Sequence, residues 1–141
     1  MTRRILPLFL AATIAATGAA SGTREVEAVV TEFNSAVAAN DHKRLVALFT
    51  ARGTYEGWPA AEGVRQADAK RLPWDERMPL RISIRKMTFP RPDNAIVNAT
   101  QSDSSPLGDT RTWTCVFVLV REGSNWKISS YVESAPVRTF P

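Results

Sequence analysis

The sequence is poor in the residues that build disulfides, metal sites and nucleophilic active sites. Its 141 residues include one cysteine, Cys115, and one histidine, His42. A single cysteine cannot form an intramolecular disulfide, even in an oxidising compartment. His42 and Cys115 do not have the spacing of zinc ligands, so we expect neither a metal nor a cofactor. The chain also lacks a glycine-rich phosphate loop and a serine nucleophile elbow, which argues against the common nucleotide-binding and hydrolase classes.

The sequence also has no hydrophobic run of transmembrane length. The first apolar run, residues 5–16, is shorter than the roughly 20 residues that a spanning helix needs. Two arginines precede this run and small residues follow it, which is the order of a secretory signal peptide. We therefore predict a signal over residues 1–22, cleaved after Ala20 or Gly22, a periplasmic or secreted product, and no membrane span after cleavage. An uncleaved membrane anchor is the alternative.

The chain has a net charge of +4 and a sequence pI of about 9.7. Arg3 and Arg4 belong to the predicted signal, and without them 16 basic residues face 14 acidic ones, a net charge of +2. The remaining basic residues concentrate between Arg65 and Arg91, a patch that suits phosphate, an acidic polymer or a membrane surface. A solvated helix and strand face explains such a patch more simply. We expect no nucleic-acid partner, because an exported protein rarely meets cellular nucleic acid.

Two short helices are predicted after the signal. Apolar residues recur at three- and four-residue spacing and define the first helix: Val26, Val29, Val30, Phe33 and Val37. We expect Thr23 to cap this helix and Asn40 to end it in a left-handed conformation. Asp41 then caps a second helix, which carries Leu45, Leu48 and Phe49 and ends at Gly53. His42 lies in its first turn, where we expect a structural position that faces solvent.

The rest of the chain predicts one weak helix and a row of strands. "TYEGW" (54–58) is typical of a short strand, and Val64, Ala67 and Leu72 fit a third helix ended by Pro73. Apolar alternation then predicts strands over residues 80–85, 95–102, 110–121 and 126–135. Around "CVFVLV" both alternating sets are apolar, so we expect a central strand covered on each face. The class is α+β, with helices on one face of a strongly curved, mainly antiparallel sheet.

Two stretches resemble a known superfamily. "VVTEFNSAVAANDHKRLVALFTARGTYEGW" (29–58) resembles the opening of the nuclear transport factor 2-like (NTF2-like) superfamily, especially its SnoaL-like and DUF4440 small domains and the ketosteroid isomerases. "TWTCVFVLVREGSNWKISSYV" (112–132) is similar to the final hairpin of the same superfamily. The segment 59–79 shows the least similarity. The resemblance implies a single domain over residues 23–141, a conical α+β barrel with a pocket at its open end, and a homodimer formed through the outer sheet face.

The resemblance does not carry over a catalytic set. In the ketosteroid isomerase pattern the oxyanion donor and the proton-transferring carboxylate fall on Phe33 and Gly57, which have no suitable side chain. The second acid falls near Thr114 or Cys115, and neither is an acid. Glu56 is next to the expected base position, but adjacent strand residues face opposite sides, so we interpret it as a rim carboxylate. We assign no catalytic residue.

Aromatic residues are the clearest candidates for a ligand site. The mature chain has six tyrosines and tryptophans: Tyr55, Trp58, Trp74, Trp113, Trp126 and Tyr131. We assign Trp126 to the core. Because aromatic rings commonly line cavities for apolar ligands, we predict a pocket formed by Phe33, Tyr55, Trp58, Trp113 and Tyr131. Asp103 and Asp109 flank one loop and could hold a cation, although a solvated polar loop is the simpler interpretation.

Three functions fit this sequence. The first is an exported domain that binds a small apolar molecule or a protein partner without catalysis. The second is a SnoaL-like isomerase, cyclase or dehydratase on a small hydrophobic substrate, with Tyr55, Glu56, Tyr131 or Glu133 as participants. The third is an envelope assembly or interaction module that uses the basic patch or the dimer face. The superfamily hosts all three classes, so the fold alone does not decide among them.

Overall fold

A computed structural model describes residues 8–70 and 80–141 of the chain. The helices in these ranges are α1 (Leu8–Ala38), α2 (His42–Ala47) and α3 (Ala60–Ala69). The strands are β1 (Phe49–Tyr55), β2 (Trp58–Pro59), β3 (Arg81–Arg91), β4 (Asn94–Ser104), β5 (Thr110–Glu122), β6 (Asn125–Glu133) and β7 (Val137–Thr139). No helix within the described ranges combines the length and the apolar character that a membrane crossing requires.

The strands form one curved sheet in the order β2-β1-β6-β5-β4-β3, and β7 pairs with β5. Neighbouring strands of the sheet pair antiparallel, except β1 and β6, which pair parallel. The expected α+β class, with helices against a curved and mainly antiparallel sheet, is confirmed. The parallel pair joins the first strand of the chain to the last long one and places Tyr55 beside Tyr131.

The core lies between α1 and the concave face of the sheet. Val26, Val30, Phe33 and Ala36 of α1 are fully buried, as the helical spacing of the apolar residues predicts. Phe117 and Leu119 of β5 oppose them, also fully buried. Val116, Val118 and Val120 point to the other face and are only half-buried. Within the single chain, the outer face of this central strand is therefore not covered as the sequence predicted.

The corner between α1 and α2 forms as the sequence predicts. Asn40 has a φ of 54°, the left-handed conformation that ends a helix. The Asp41 side chain accepts a hydrogen bond from the Arg44 backbone N–H at 3.1 Å and so caps α2. Leu45 anchors the short helix in the core, with 4% of its surface exposed.

Three predicted boundaries around the first two helices are wrong. The helix does not begin at Thr23, because α1 continues through that residue from Leu8. The second helix ends at Ala47 and not at Gly53. Phe49 already begins β1, since its apolar side chain fits the core equally well from a strand.

Two glycines explain the path of the chain after α2. Gly53 lies inside β1, and a Cβ added there would lie 2.8 Å from the Ile128 carbonyl oxygen, so its absence lets β1 approach β6. "TYEGW" is a turn between two strands and not one strand. Glu56 and Gly57 have φ values of 53° and 78°, which reverse the chain direction between β1 and β2.

The third helix ends earlier than expected, at Ala69. Leu72 and Pro73, which we predicted at its end, and Trp74 lie outside the described residues. Strand β7, by contrast, was missed, because a segment of three exposed residues is too short to show an alternating pattern.

Candidate functional site

A cavity of about 240 Å³ lies between the helices and the concave face of the sheet. Phe33 and Val37 of α1, Leu45 of α2 and Val64 of α3 form its apolar wall. The sheet supplies the polar wall: Gln101, Asp103, Arg111, Trp113, Tyr131 and Glu133. The helical side of the cavity is mainly apolar but also includes polar side chains such as His42 and Asp68, and the sheet side carries most of the hydrogen-bonding groups.

A cluster of aromatic rings lies beside the cavity. The ring centroids of Phe33 and Tyr131 are 4.6 Å apart, and those of Tyr55 and Tyr131 are 4.8 Å apart. Phe117 packs below them, edge-on to Phe33 at 4.9 Å. These contacts fix the rings in the core, so the cavity wall they form is rigid.

Gln101 joins the polar side chains of the cavity. It is 2% exposed, and its Oε1 accepts a hydrogen bond from the Trp113 indole N–H at 2.8 Å. The Tyr131 hydroxyl lies 2.9 Å from the same oxygen. The Gln101 side-chain nitrogen donates to Asn34 Oδ1 at 3.4 Å, which links the sheet to α1. These bonds satisfy a buried amide that would otherwise be costly.

Tyr131 and Glu133 form the ionisable part of the site. The Tyr131 hydroxyl oxygen is 2.6 Å from Glu133 Oε2. Burial, followed by the Glu133 charge, raises the pKa of Tyr131 well above its usual value. Burial of its carboxyl group and the Glu56 charge also raise the pKa of Glu133, although hydrogen bonds from Tyr131 and Trp113 oppose that shift. The two side chains therefore favour protonated forms at a higher pH than free tyrosine and glutamate do.

Glu56 supports the position of Glu133 from the rim. It is exposed in the turn between β1 and β2, and its Oε1 accepts a hydrogen bond from the Glu133 backbone N–H. Its placement agrees with the sequence interpretation of a rim carboxylate, but a left-handed turn and not strand alternation produces it.

Asp103 and Arg111 form a buried ion pair in the cavity wall. The guanidinium donates to both carboxylate oxygens of Asp103, at 2.9 and 2.5 Å, and Asp103 is 7% exposed. The interpretation of Asp103 as part of a solvated loop is therefore wrong. Within the described ranges no group of three or more histidine, cysteine, aspartate or glutamate side chains could hold a metal ion.

His42 and Asp68 lie at the cavity wall on the helical side. His42 Nε2 is 3.0 Å from Asn40 Oδ1 and 3.4 Å from Asp68 Oδ1, and the histidine side chain is 43% exposed. The expectation that His42 simply faces solvent was incomplete, because its side chain lines the cavity and connects α2 to α3.

The structure brings together four of the five predicted pocket residues. Phe33, Tyr55, Trp113 and Tyr131 all line the cavity. Trp58 does not belong to the lining; it is 51% exposed in β2. Trp126 is buried, with its indole N–H donating to Glu25 at 2.8 Å.

The positions that correspond to the ketosteroid isomerase pattern carry no acid or base. Phe33 is an apolar core residue and Gly57 lies in a turn. Burial raises the pKa of the Cys115 thiol to about 12, so this side chain stays protonated and unreactive at neutral pH.

Sequence reasoning missed Gln101 and Arg111 and mentioned Glu133 only as an alternative. A signal for Gln101 exists, because it continues the buried alternating series Ala95, Val97 and Ala99 of β4. A polar side chain on the buried face of a strand needs buried partners. Arg111 had no such signal, since its partner Asp103 appeared to belong to a loop.

Comparison with known proteins identifies the fold. The SnoaL-like domain family matches residues 26–138. No curated protein matches the chain significantly. A provisionally assigned scytalone dehydratase from Novosphingobium aromaticivorans superimposes with a TM-score of 0.70 at 12% identity, covering 88% of this chain and 90% of that chain.

Two further solved structures show the same fold. An NTF2-like protein of unknown function from Shewanella oneidensis has a TM-score of 0.66 at 12% identity, with 80% of this chain and 98% of that chain covered. A ketosteroid isomerase-like protein from Erwinia carotovora has a TM-score of 0.62 at 14% identity, with 84% and 96% covered. At these identities the structures show the fold alone, and the family match over residues 26–138 shows that the chain belongs to the SnoaL-like domain family.

Proposed function

We propose that this protein binds a small, largely apolar molecule that carries one polar group. The observation that carries the proposal is the cavity of about 240 Å³, which has a mainly apolar helical wall and a hydrogen-bonded polar wall on the sheet side. Ligand sites commonly combine a mainly apolar lining with a few fixed polar groups. Because Gln101, Trp113 and Tyr131 are held by one another, the polar wall is organised before a ligand enters.

The test uses 1-naphthylmethanol, a neutral probe with an apolar body and one hydroxyl group, in titration calorimetry with the purified chain. We expect saturable binding with one site per chain. Ala67→Trp places a large ring in the cavity wall and should abolish binding, whereas Ala61→Trp on the exposed side of the same helix should not. Absence of binding to the unsubstituted chain, or equal binding by both variants, would contradict the proposal.

Proton transfer is a second candidate function, favoured by the contact between Tyr131 and Glu133. A carboxyl group with a raised pKa next to a buried hydroxyl is the arrangement that general acid-base catalysis uses. The test is exchange of the α-hydrogens of 2-tetralone in deuterated water, followed by NMR. Acceleration that disappears in Glu133→Gln supports catalysis, and no acceleration above buffer eliminates proton abstraction from this ketone.

We also propose that the protein is exported and that it forms a homodimer. The basic start, short apolar run and small residues of positions 1–22 support export. The half-buried valines on the outer face of β5 continue to Val132 of β6, which is 43% exposed, and support association of two copies through this face.

A further inference from the structure

Around Gln101 and Glu133 the polar wall has two side-chain donors, the Trp113 indole N–H and the Tyr131 hydroxyl, and both are shared between Gln101 Oε1 and the Glu133 carboxylate. The Tyr131 hydroxyl lies within hydrogen-bond distance of both Gln101 Oε1, at 2.9 Å, and Glu133 Oε2, at 2.6 Å. A tyrosine hydroxyl has one proton, and an amide oxygen or an ionised carboxylate can only accept. Tyr131 can therefore donate to one of its two neighbours at a time.

A flip of the Gln101 amide, which would exchange its oxygen and nitrogen, cannot supply a second donor to Tyr131. The Trp113 indole N–H is a donor only, so the amide atom that it contacts at 2.8 Å must be the oxygen. The opposite orientation would place the indole N–H against the amide NH₂ group. When Glu133 is ionised, the Tyr131 proton can therefore lie towards Gln101 Oε1 or towards Glu133 Oε2, and the other oxygen–oxygen contact has no hydrogen bond.

Glu133 is an exposed residue that lines the cavity, and its charge has no cationic partner in the described part of the cavity wall. Among the residues that the structure describes, neither Glu133 nor Glu56 forms an ion pair. The basic side chains of the cavity wall are engaged elsewhere or exposed: Arg111 binds Asp103, His42 lies beside Asp68, and Lys70 is exposed at the end of α3. Cys115 and Tyr131, the remaining titratable groups near Glu133, are neutral near pH 7 because burial raises both pKa values.

We propose that the cavity binds a molecule with an apolar ring system and one protonated amine, and that the amine donates to Glu133. This inference rests on the proposed binding function. An ammonium group has N–H donors and no acceptor, so it satisfies Glu133 and leaves the Tyr131 proton for Gln101. A ligand carboxylate or ketone would instead place a further acceptor beside an ionised carboxylate that has no cationic partner among the described side chains.

The test compares three ligands with the same naphthalene body: 1-naphthylmethylamine, 1-naphthylmethanol and 1-naphthoate. Titration calorimetry with the full chain at about pH 7.5 should rank the amine first and the carboxylate last. We expect the amine to bind at least about tenfold more tightly than the alcohol, the effect of one charge-assisted hydrogen bond. Glu133→Gln should remove this preference, while Glu122→Gln, which removes an exposed carboxylate at the end of β5, should retain it.

A pH series on the unsubstituted chain gives a second measurement that does not depend on a variant. As the pH is lowered from about 7.5 towards about 4.5, Glu133 takes up its proton earlier than an ordinary glutamate because its pKa is raised, and the protonated carboxyl group then donates to Tyr131 and carries no charge. Amine affinity should fall toward that of the alcohol, and alcohol affinity should stay constant. The same fall should persist in Glu56→Gln, because Glu56 binds the Glu133 backbone and is not the group that receives the amine.

The outcomes separate this inference from the function on which it rests. If the alcohol binds and the amine binds no better, the amine assignment is overturned and the binding function stands. If the amine preference survives in Glu133→Gln or does not change with pH, Glu133 is not its partner and the inference fails. If none of the three ligands binds, the proposed function itself is wrong.

Discussion

Gln101 is the single residue on which most of the polar wall depends. Replacement by leucine removes the acceptor of the partly buried Trp113 N–H, whereas the Tyr131 hydroxyl keeps Glu133 as its acceptor. Because one unsatisfied group costs about 1 to 3 kcal/mol, we expect Gln101→Leu to lower the free energy of unfolding by about 1 to 3 kcal/mol. Urea unfolding measures the change.

Gln66 provides the matched control for this substitution. Its side-chain nitrogen donates to Glu62 on the surface of α3, where water replaces the lost partner. Gln66→Leu should therefore change the free energy of unfolding by about 0.5 kcal/mol or less. Equal destabilisation by the two substitutions would mean that the Gln101 contacts contribute nothing specific.

Cys115 illustrates how burial controls reactivity. Because burial moves the pKa of its thiol from about 9 to about 12, the thiolate fraction at about pH 8 is far smaller in the folded chain than in the unfolded chain. We expect iodoacetamide to alkylate Cys115 at least about a hundredfold more slowly in buffer than in concentrated urea at the same pH. Similar rates under both conditions would show that the thiol is accessible.

The pocket residues could be predicted only in part from the sequence. Aromatic side chains are conspicuous, and their number led to Phe33, Tyr55, Trp113 and Tyr131. Trp58 was predicted for the same reason, because it is aromatic, but the left-handed turn at Glu56 and Gly57 directs the chain away from the cavity. Gln101 and Arg111 are bound by residues distant in the sequence, and the local sequence pattern does not show these contacts.

At the level of secondary structure, the Asp41 cap of α2 is the clearest local stabilising interaction. Asp41→Ala removes the acceptor for the Arg44 N–H and should destabilise the protein by about 1 kcal/mol. Asp41→Asn keeps an acceptor and should behave nearly as the original residue does. Chemical denaturation distinguishes the two. If asparagine costs as much as alanine, the charge of Asp41 and not its capping bond stabilises the corner.

The contact between α3 and β1 depends on Gly63. A Cβ added there would lie 2.7 Å from the Tyr55 Cβ, so Gly63→Ala must move the helix or the strand. Alanine favours a helix over glycine by about 1 kcal/mol, but we expect a net loss of about 1 to 3 kcal/mol from overpacking. Thermal unfolding tests the sign, and a stabilised Gly63→Ala variant would show that α3 is free to shift.

Helices and strands with long periodic patterns were predictable, and their ends were not. The valine and phenylalanine spacing defined α1, and alternation defined β3 to β6. Leu48 and Phe49 fit a helix by their spacing, yet Phe49 belongs to β1. Since α2 has only six residues, its apolar pattern is too short to show where the helix ends. Strand β7 has no pattern at all.

For the whole molecule, the outer sheet face determines the expected assembly. Val132→Lys places a charge among the half-buried valines and should convert a dimer to a monomer in sedimentation velocity. Leu107→Lys, in a loop where the residue is 86% exposed, should leave the dimer intact. A monomeric unsubstituted chain would contradict the proposed homodimer.

Export has an equally direct measurement. Expression of the full chain in a bacterial host, followed by intact mass analysis of the periplasmic fraction, should give a product that begins after Ala20 or Gly22. Recovery of the chain with its first residue retained would contradict cleavage.

The overall fold was recognisable because both ends of the domain resemble one superfamily. The sheet order was not fully predictable, because the parallel pairing of β1 with β6 joins segments at opposite ends of the chain. The cavity volume also could not be predicted from the sequence, since it depends on how α3 and the sheet pack together.

The parallel pairing of β1 and β6 has a consequence for the order in which the protein acquires its site. Glu56 and Glu133, which meet at the rim, are 77 positions apart in the chain. A contact between such distant segments forms late in folding, because a long loop must close first. During synthesis the helices and β1 emerge well before β6, so a nascent chain has the apolar half of the cavity without Tyr131 or Glu133. The proposed ligand site is therefore complete only when the last long strand has been made and inserted beside the first.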